Sequence, residues 1–181
     1  MNLNLPNVLT LLRIVAIPLV ILVYYAPIPR SGEIAAIIFA LAGFTDWFDG
    51  YLARRLNQTS SFGAFLDPVA DKLMVAALLV IIVERFGGVW LAVAAVIIIG
   101  REITVSALRE WMAELGERSK VKVSYVGKVK TTVQMFSLFF LLYEKPIFGL
   151  PIFQIGYWLL MVAAALTLWS MIIYLRSALT E

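Results

Sequence analysis

The sequence predicts an all-α integral membrane protein, a bundle of six transmembrane helices with both termini in the cytoplasm. Of the 181 residues, 62% are apolar and 15% are charged, whereas soluble domains average about 25% charged residues. The apolar residues form continuous runs and do not alternate with polar ones, which indicates helices. In hydrocarbon, moreover, only helices and closed barrels satisfy all their backbone hydrogen bonds.

Six apolar segments account for most of the chain. A helix that crosses a bilayer needs about 20 residues, and segments of similar length lie at residues 8–25, 33–52, 68–83, 89–108, 129–143 and 154–175. Prolines, glycines or polar residues separate them, and the longest polar stretch covers residues 109–128. Because no internal repeat divides the chain, we expect a single domain over residues 1–181.

The distribution of basic residues indicates the orientation. With six spans, twelve of the fifteen Lys and Arg residues fall on one side of the membrane. The positive-inside rule places that side, together with both termini, in the cytoplasm. The first apolar run has no basic region before it and no cleavage site after it, so we expect this segment to be retained. These features predict a multi-pass protein of the cytoplasmic (inner) membrane.

The chain has neither histidine nor cysteine. This excludes disulfides, thiolate nucleophiles, zinc sites built on these residues and imidazole general bases. Any chemistry must therefore depend on carboxylates, amines, guanidinium groups, hydroxyls or an oxygen-bound metal ion.

All four aspartates of the chain lie within 26 consecutive residues, at Asp46, Asp49, Asp67 and Asp71. Each lies in or beside an apolar segment, where an ionised aspartate costs about 2.5–3.5 kcal/mol on insertion scales. A cation held between the carboxylates would remove both that cost and their mutual repulsion, and hard oxygen ligands suit Mg²⁺, Mn²⁺ or Ca²⁺. The aspartates therefore predict a metal site.

Helical geometry allows these side chains to converge. At about 100° per residue, Asp46 and Asp49 share a stripe of their helix with two small residues and one guanidinium, which are Gly50, Ala53 and Arg54. On the next helix Asp67 and Asp71 are separated by one turn and lie on one face. Simple helix packing would also explain the two small residues. Asp67 before Pro68 is typical of a helix start, but capping accounts for neither Asp71 nor the earlier pair.

The spacing D-x2-D-G-x2-A-R-x8-G-x3-D-x3-D, which begins at Asp46 and includes Gly63, resembles the signature of the CDP-alcohol phosphatidyltransferases. These are integral membrane enzymes of phospholipid synthesis. The resemblance implies two divalent cations, Mg²⁺ or Mn²⁺, held by the four aspartates, with Asp71 also acting as the base. It further implies that Gly50, Arg54 and Ser60 contact the CDP moiety of CDP-diacylglycerol.

Two regions outside the signature complete the predicted site. Asn7, Thr10 and Arg13 form a polar stripe on the first helix, and we expect the first two to border the nucleotide and Arg13 the phosphates. The predicted contacts of the CDP-lipid are therefore Asn7, Thr10, Arg13, Asp49, Gly50, Ala53, Arg54, Ser60 and Gly63. Four basic residues near the ends of later segments are candidates for binding a phosphate on the acceptor, namely Arg101, Arg109, Lys128 and Lys130.

The residues around these four basic positions, and the N-terminal segment, resemble the phosphatidylglycerophosphate synthases within that family. The resemblance implies sn-glycerol 3-phosphate as acceptor, and a homodimer in contact with membrane lipids. No nucleic acid partner is expected. The Gly127-Lys128 pair is not a nucleotide-binding P-loop either, since the spacing and the second glycine are missing. Related enzymes that use inositol phosphate or serine stay open as alternatives. So does a divalent-cation transporter, although carboxylates confined to two adjacent segments favour an enzyme over a transporter with inverted repeats.

Overall fold

The computed structural model describes the backbone of residues 5–56, 61–116 and 125–179, and the side chains of these residues except at 5–7, 9, 46–56, 61, 62, 64, 125, 126 and 177–179. Within these ranges it contains six α-helices and no β-strand beyond an isolated bridge between Ile147 and Leu150. The helices are α1 (Leu5–Tyr25), α2 (Ser31–Leu56), α3 (Ser61–Phe86), α4 (Val89–Glu114), α5 (Tyr125–Tyr143) and α6 (Ile152–Leu179). The all-α prediction is confirmed.

Short non-helical segments connect several of the helices. Pro27 and Pro29 follow α1, and Arg30 adopts a positive φ of 64° before α2 begins. Only Gly87 and Gly88 separate α3 from α4, with φ values of 64° and 90° that favour glycine. Both connections, between α1 and α2 and between α3 and α4, therefore occur where the sequence contains proline or glycine.

The helices are longer than the apolar segments that predicted them. The largest difference is at α3, which begins at Ser61 and not at Pro68, so that Asp67 and Pro68 lie inside the helix. The interpretation of Asp67 as a helix cap is therefore wrong. Much of the predicted polar stretch at 109–128 is also helical, because α4 continues to Glu114 and α5 begins at Tyr125. Hydropathy marks the part of a helix that suits hydrocarbon, whereas local backbone hydrogen bonds continue the helix through polar residues.

Two helices of the described chain are long and apolar enough to cross a membrane by length and composition, α4 and the Ile152–Arg176 part of α6. Two shorter apolar stretches occur at Thr10–Tyr25 and Ser31–Thr45. The six-span topology and the cytoplasmic location of the termini stay predictions.

The chain divides into two compact units. The first contains Met1–Ile81 and Leu142–Ile152, and in it α1 packs along α2. The hydroxyl of Tyr24 donates to Oε1 of Glu144 at 2.8 Å, and Nζ of Lys145 donates to Oε1 of Glu33 at 2.6 Å. These contacts hold the segment after α5 against the first two helices. The prediction of a single domain over residues 1–181 stays a prediction.

The second unit contains Ile82–Leu141 and Phe153–Glu181. Here α5 and α6 approach closely at Gly156, where an added Cβ would lie 2.9 Å from Cβ of Phe140 and 3.1 Å from the backbone nitrogen of Leu141. The hydroxyl of Ser137 donates to the carbonyl oxygen of Gly156 at 2.7 Å. A small residue on one helix and a short polar one on the other allow this approach, as is common between membrane helices.

We expect Gly156→Ala to lower the stability of the protein by about 1–3 kcal/mol, because the new methyl group overlaps two atoms of α5 that cannot move independently. Thermal unfolding of the purified protein in detergent measures the change. Gly100→Ala is the matched control, since a Cβ at this helical glycine meets nothing within 4 Å. It should leave stability equal or raise it by about 0.5–1 kcal/mol. Equal losses in both variants would contradict the close approach at Gly156.

Candidate functional site

Two side chains of α1 bind two aspartates of α3 within the first unit. Oγ1 of Thr10 donates a hydrogen bond to Oδ1 of Asp67, and Nη1 of Arg13 donates to Oδ1 of Asp71 at 3.0 Å. The Arg13 side chain is 2% exposed, whereas that of Asp71 is 51% exposed. The donors are thus enclosed by protein, while the Asp71 carboxylate remains open on one side.

The spacing of these residues explains why the contacts form in pairs. Thr10 and Arg13 are three residues apart on α1, and Asp67 and Asp71 are four apart on α3. Residues three or four positions apart are neighbours on one helix face, so a single line of contact between α1 and α3 brings both pairs together. The opposite charges of Arg13 and Asp71 offset part of the cost of placing each among apolar helices.

The structure describes only the backbone of most other residues that were predicted for this site. Asp46, Asp49, Gly50, Ala53 and Arg54 lie on the last three turns of α2, but their side chains are outside the described set. The side chain of Asn7, in the first turn of α1, and the whole of Ser60 also lie outside it. Gly63 is buried in the first turn of α3. The convergence of four carboxylates therefore stays a prediction.

The described part of this site suits a hard divalent cation. Asp67 and Asp71 supply carboxylate oxygens on one helix face, and oxygen donors are the ligands that Mg²⁺ and Mn²⁺ prefer. A carboxylate has about four acceptor positions, so the bonds from Thr10 and Arg13 orient the two groups without exhausting them. Such partners commonly fix the direction of a metal-binding side chain. No group of three or more possible ligands occurs among the described side chains, which do not include Asp46 and Asp49.

A cluster of basic side chains occupies the second unit. Nζ of Lys130, on α5, donates to Oε1 of Glu102 at 2.6 Å, and Nη1 of Arg101 donates to the same oxygen at 3.2 Å. Arg101 and Lys130 are both buried, while the Glu102 side chain is 22% exposed. One carboxylate therefore joins two buried cations from neighbouring segments of the chain.

Tyr174 of α6 connects a third basic residue to this cluster. The Cζ atoms of Arg101 and Arg109 lie 5.3 Å and 5.4 Å from the centre of its ring, and Nη2 of Arg109 donates to its hydroxyl at 3.2 Å. The ring is buried against Val105, Leu108 and Met112 of α4. Both guanidinium groups are attracted to the same aromatic ring, which fixes their positions relative to each other.

Sequence reasoning missed Tyr174. Tyrosine and tryptophan near helix ends are most often interfacial anchors, and nothing in the sequence pairs α6 with the arginines of α4. The only available signal was the eight-residue separation of Arg101 and Arg109, which places them about 80° apart around their helix. That angle leaves both side chains toward one side of α4, where a residue of another helix can contact both.

Lys128 does not belong to the described cluster in the same way. It is exposed and lies about 200° around α5 from Lys130, so the two amines leave the helix on different sides. Its predicted role stays a prediction. The other three basic residues together with Glu102 carry a net charge of +2, which suits a phosphate dianion. Arg101 and Lys130 are buried and Arg109 is exposed, so water competes little with an anion for the first two of these cations.

Comparisons with known proteins give a consistent result. A family model described as CDP-alcohol phosphatidyltransferase matches residues 3–169 of the chain. Relatives from Escherichia coli strain K12 and Shigella flexneri serotype 5b strain 8401 are each 53% identical to it over 178 residues. The alignments cover 98% of this chain and 96% of each relative. Both relatives bear the name CDP-diacylglycerol–glycerol-3-phosphate 3-phosphatidyltransferase.

We expect Tyr174→Leu to weaken phosphate binding about tenfold, because it removes the ring that both guanidinium groups contact. Tyr174→Phe keeps the ring and should weaken binding only about twofold. The rise in unfolding temperature with increasing inorganic phosphate measures the affinity. Tyr24→Leu, which removes a buried tyrosine that bonds to Glu144, is the matched control and should leave phosphate affinity unchanged. An equal loss in the Tyr24 variant would show that Tyr174 has no particular relation to the anion.

Proposed function

The chain belongs to the CDP-alcohol phosphatidyltransferase family, and from this we infer that it transfers the phosphatidyl group of CDP-diacylglycerol to sn-glycerol 3-phosphate. The products are phosphatidylglycerophosphate and CMP. The observation that carries the inference is the 53% identity, over nearly the whole length of both chains, to relatives named for this reaction. The cluster formed by Arg101, Arg109 and Lys130 supports an acceptor that carries its own phosphate.

The metal site of the proposed enzyme consists of Asp46, Asp49, Asp67 and Asp71, which hold two divalent cations, Mg²⁺ or Mn²⁺. The oxygen donors of the two described aspartates, and the hydrogen bonds that orient them, support this assignment. When bound, the cations neutralise the negative charge that develops on the transferred phosphoryl group and on CMP.

The protein side chains would bind the donor and position it. The CDP moiety of the lipid contacts residues in the first part of the chain, which are Asn7, Thr10, Arg13, Asp49, Gly50, Ala53, Arg54, Ser60 and Gly63. A buried Arg13 supplies positive charge, and small residues let the nucleotide approach the backbone closely. These contacts hold the donor in a fixed orientation relative to the acceptor, which lowers the entropic cost of the reaction between two substrates.

Asp71 removes the proton in the proposed reaction. The acceptor phosphate is held by the cluster of Arg101, Arg109 and Lys130, and a free hydroxyl of the same molecule attacks the phosphorus on the lipid side of CDP-diacylglycerol. Asp71 takes the hydroxyl proton as the new P–O bond forms. The P–O bond to CMP breaks, and CMP leaves with that electron pair. The exposed side of the Asp71 carboxylate supports this role, because a base must be reached by its substrate.

The distribution of polarity supports a protein embedded in a membrane. Arg13, Arg101 and Lys130 are buried, while many large apolar side chains are exposed, such as Leu22 and Val96. A soluble protein shows the reverse, since it rarely buries charge or exposes broad apolar surface. In the proposed arrangement six helices span the cytoplasmic membrane, both termini and the active site face the cytoplasm, and two copies form a homodimer.

The decisive experiment measures CMP released by the purified protein from CDP-diacylglycerol with Mn²⁺ or Mg²⁺ and each acceptor in turn. We expect turnover with sn-glycerol 3-phosphate and none with serine or inositol phosphate. Asp71→Asn should lower kcat by a factor of about 100 or more, because the amide cannot accept the proton. Turnover with serine alone would indicate a related enzyme, and cation flux through the protein in vesicles without CMP release would indicate a transporter.

Thr10→Val tests the metal site. The change preserves shape but removes the hydroxyl that donates to Asp67, so we expect the Mn²⁺ concentration for half-maximal activity to rise about 10- to 100-fold. Thr167→Val is the matched control, because the buried Thr167 hydroxyl donates only to the carbonyl of Ala163 in its own helix. The control should keep the metal requirement of the unaltered protein. An unchanged requirement in the Thr10 variant would show that the Thr10 hydroxyl does not orient a metal ligand.

A further inference from the structure

One face of α5 carries three buried polar side chains that the proposed reaction uses only in part. Lys130, Gln134 and Ser137 follow one another at spacings of four and three residues, which places them in one row, and none is more than 3% exposed. Lys130 donates to Glu102, and the hydroxyl of Ser137 donates to the carbonyl of Gly156. Gln134 lies between these two paired residues.

The amide of Gln134 differs from its neighbours in the row. Its Oε1 atom is buried and has no hydrogen-bond partner among the residues that the structure describes. Nearly all buried polar atoms in folded proteins are paired, because an unpaired one loses its hydration without compensation. A buried acceptor of this kind indicates a ligand or a water molecule that donates to it.

A second buried atom of the same unit is unpaired, and it belongs to the basic cluster. Nε of Arg101 is a donor without a partner within the described chain, although Nη1 of the same group bonds to Glu102. Glu102 also binds Lys130, which lies one helical turn from Gln134. The unused donor therefore belongs to a side chain of the cluster that Glu102 joins, and the unused acceptor lies one helical turn from Lys130, another member of that cluster.

We propose that Gln134 binds a hydroxyl of the acceptor, the one that does not attack, while the basic cluster holds the acceptor's phosphate. This inference depends on the proposed function for the identity of the acceptor. One turn of α5 rises about 5.4 Å, a distance suited to a phosphate and a hydroxyl on the same three-carbon chain. A hydroxyl both donates and accepts, so it satisfies either end of the Gln134 amide.

The surroundings of Gln134 favour this occupant over a lipid chain. The ligand must carry a negative group for Arg101 and Lys130 and a hydroxyl within one helical turn of it. An acyl chain has neither, and a simple phosphate has no carbon-bound hydroxyl. A polyol phosphate has both. Gln134 would accordingly set specificity, since a pocket that hydrogen-bonds a hydroxyl discriminates strongly against analogues without it.

The experiment compares two acceptors that differ by one hydroxyl. Purified protein in detergent with CDP-diacylglycerol is given sn-glycerol 3-phosphate or 3-hydroxypropyl phosphate, which lacks the secondary hydroxyl. We expect kcat/KM of the unaltered protein to favour the first by about 10- to 100-fold. Gln134→Leu should lower kcat/KM for sn-glycerol 3-phosphate by the same factor and leave that for the analogue unchanged. Gln134→Met serves as a second variant of similar volume if the leucine variant does not fold.

Ser137→Ala is the matched control, because it removes a buried hydroxyl from the same row that is already paired with Gly156. This variant should retain the preference between the two acceptors. If the Gln134 variants lower kcat/KM equally for both acceptors, or retain the full preference, the inference is wrong and the amide binds water or serves packing alone.

A binding measurement separates this inference from the proposed function. The rise in unfolding temperature with either acceptor reports affinity without turnover. Absence of CMP release with sn-glycerol 3-phosphate would contradict the proposed reaction. The hydroxyl site would still be supported if the protein bound sn-glycerol 3-phosphate more tightly than the analogue and Gln134→Leu abolished that difference. If the unaltered protein bound both acceptors equally in this measurement, the hydroxyl site would fail whatever the turnover.

Discussion

Buried charge among apolar helices needs a counter-charge, and this constraint underlies both polar clusters of the structure. Arg13 is enclosed and finds Asp71 on the neighbouring face of α3. Arg101 and Lys130 are enclosed and share the single carboxylate of Glu102. Without these partners each side chain would cost several kcal/mol to bury. The helices are therefore held together partly by the same groups that are proposed to bind substrates.

The two clusters meet this constraint in different ways. In the α1–α3 pairs one positive charge, that of Arg13, accompanies two carboxylates, because the Thr10 hydroxyl is neutral. These four side chains therefore carry a net charge of −1, which favours a cation beside them. The α4–α5–α6 cluster leaves a net charge of +2 and orders it with an aromatic ring. One arrangement suits cations and the other suits a phosphate dianion, as a phosphoryl transfer between two phosphate-bearing substrates requires.

Much of the fold and part of the candidate site follow from the sequence. Composition and continuous apolar runs predicted six helices, and each predicted segment lies within an observed helix. Helix ends were less predictable, because backbone hydrogen bonds continue a helix beyond its apolar segment, as at the start of α3, which precedes the predicted start by seven residues. Thr10, Arg13, Asp67 and Asp71 were all identified from charge and spacing. Their pairing was not, since i, i+3 and i, i+4 spacing defines a face but not the helix that packs on it.

The sequence by itself determined which residues can bind metal ions and phosphates. These are four aspartates at fixed spacing, and basic side chains at the ends of apolar runs. Those features depend on local geometry. Because an α-helix has 3.6 residues per turn, the order of residues predicts which side chains share a helix face. Tertiary structure alone decided that Glu102 joins Arg101 to Lys130, that Tyr174 lies against two arginines, and that Oε1 of Gln134 has no hydrogen-bond partner in the described part of the chain. Each of these depends on how separate helices pack, and packing is set by side-chain contacts between positions distant in the chain.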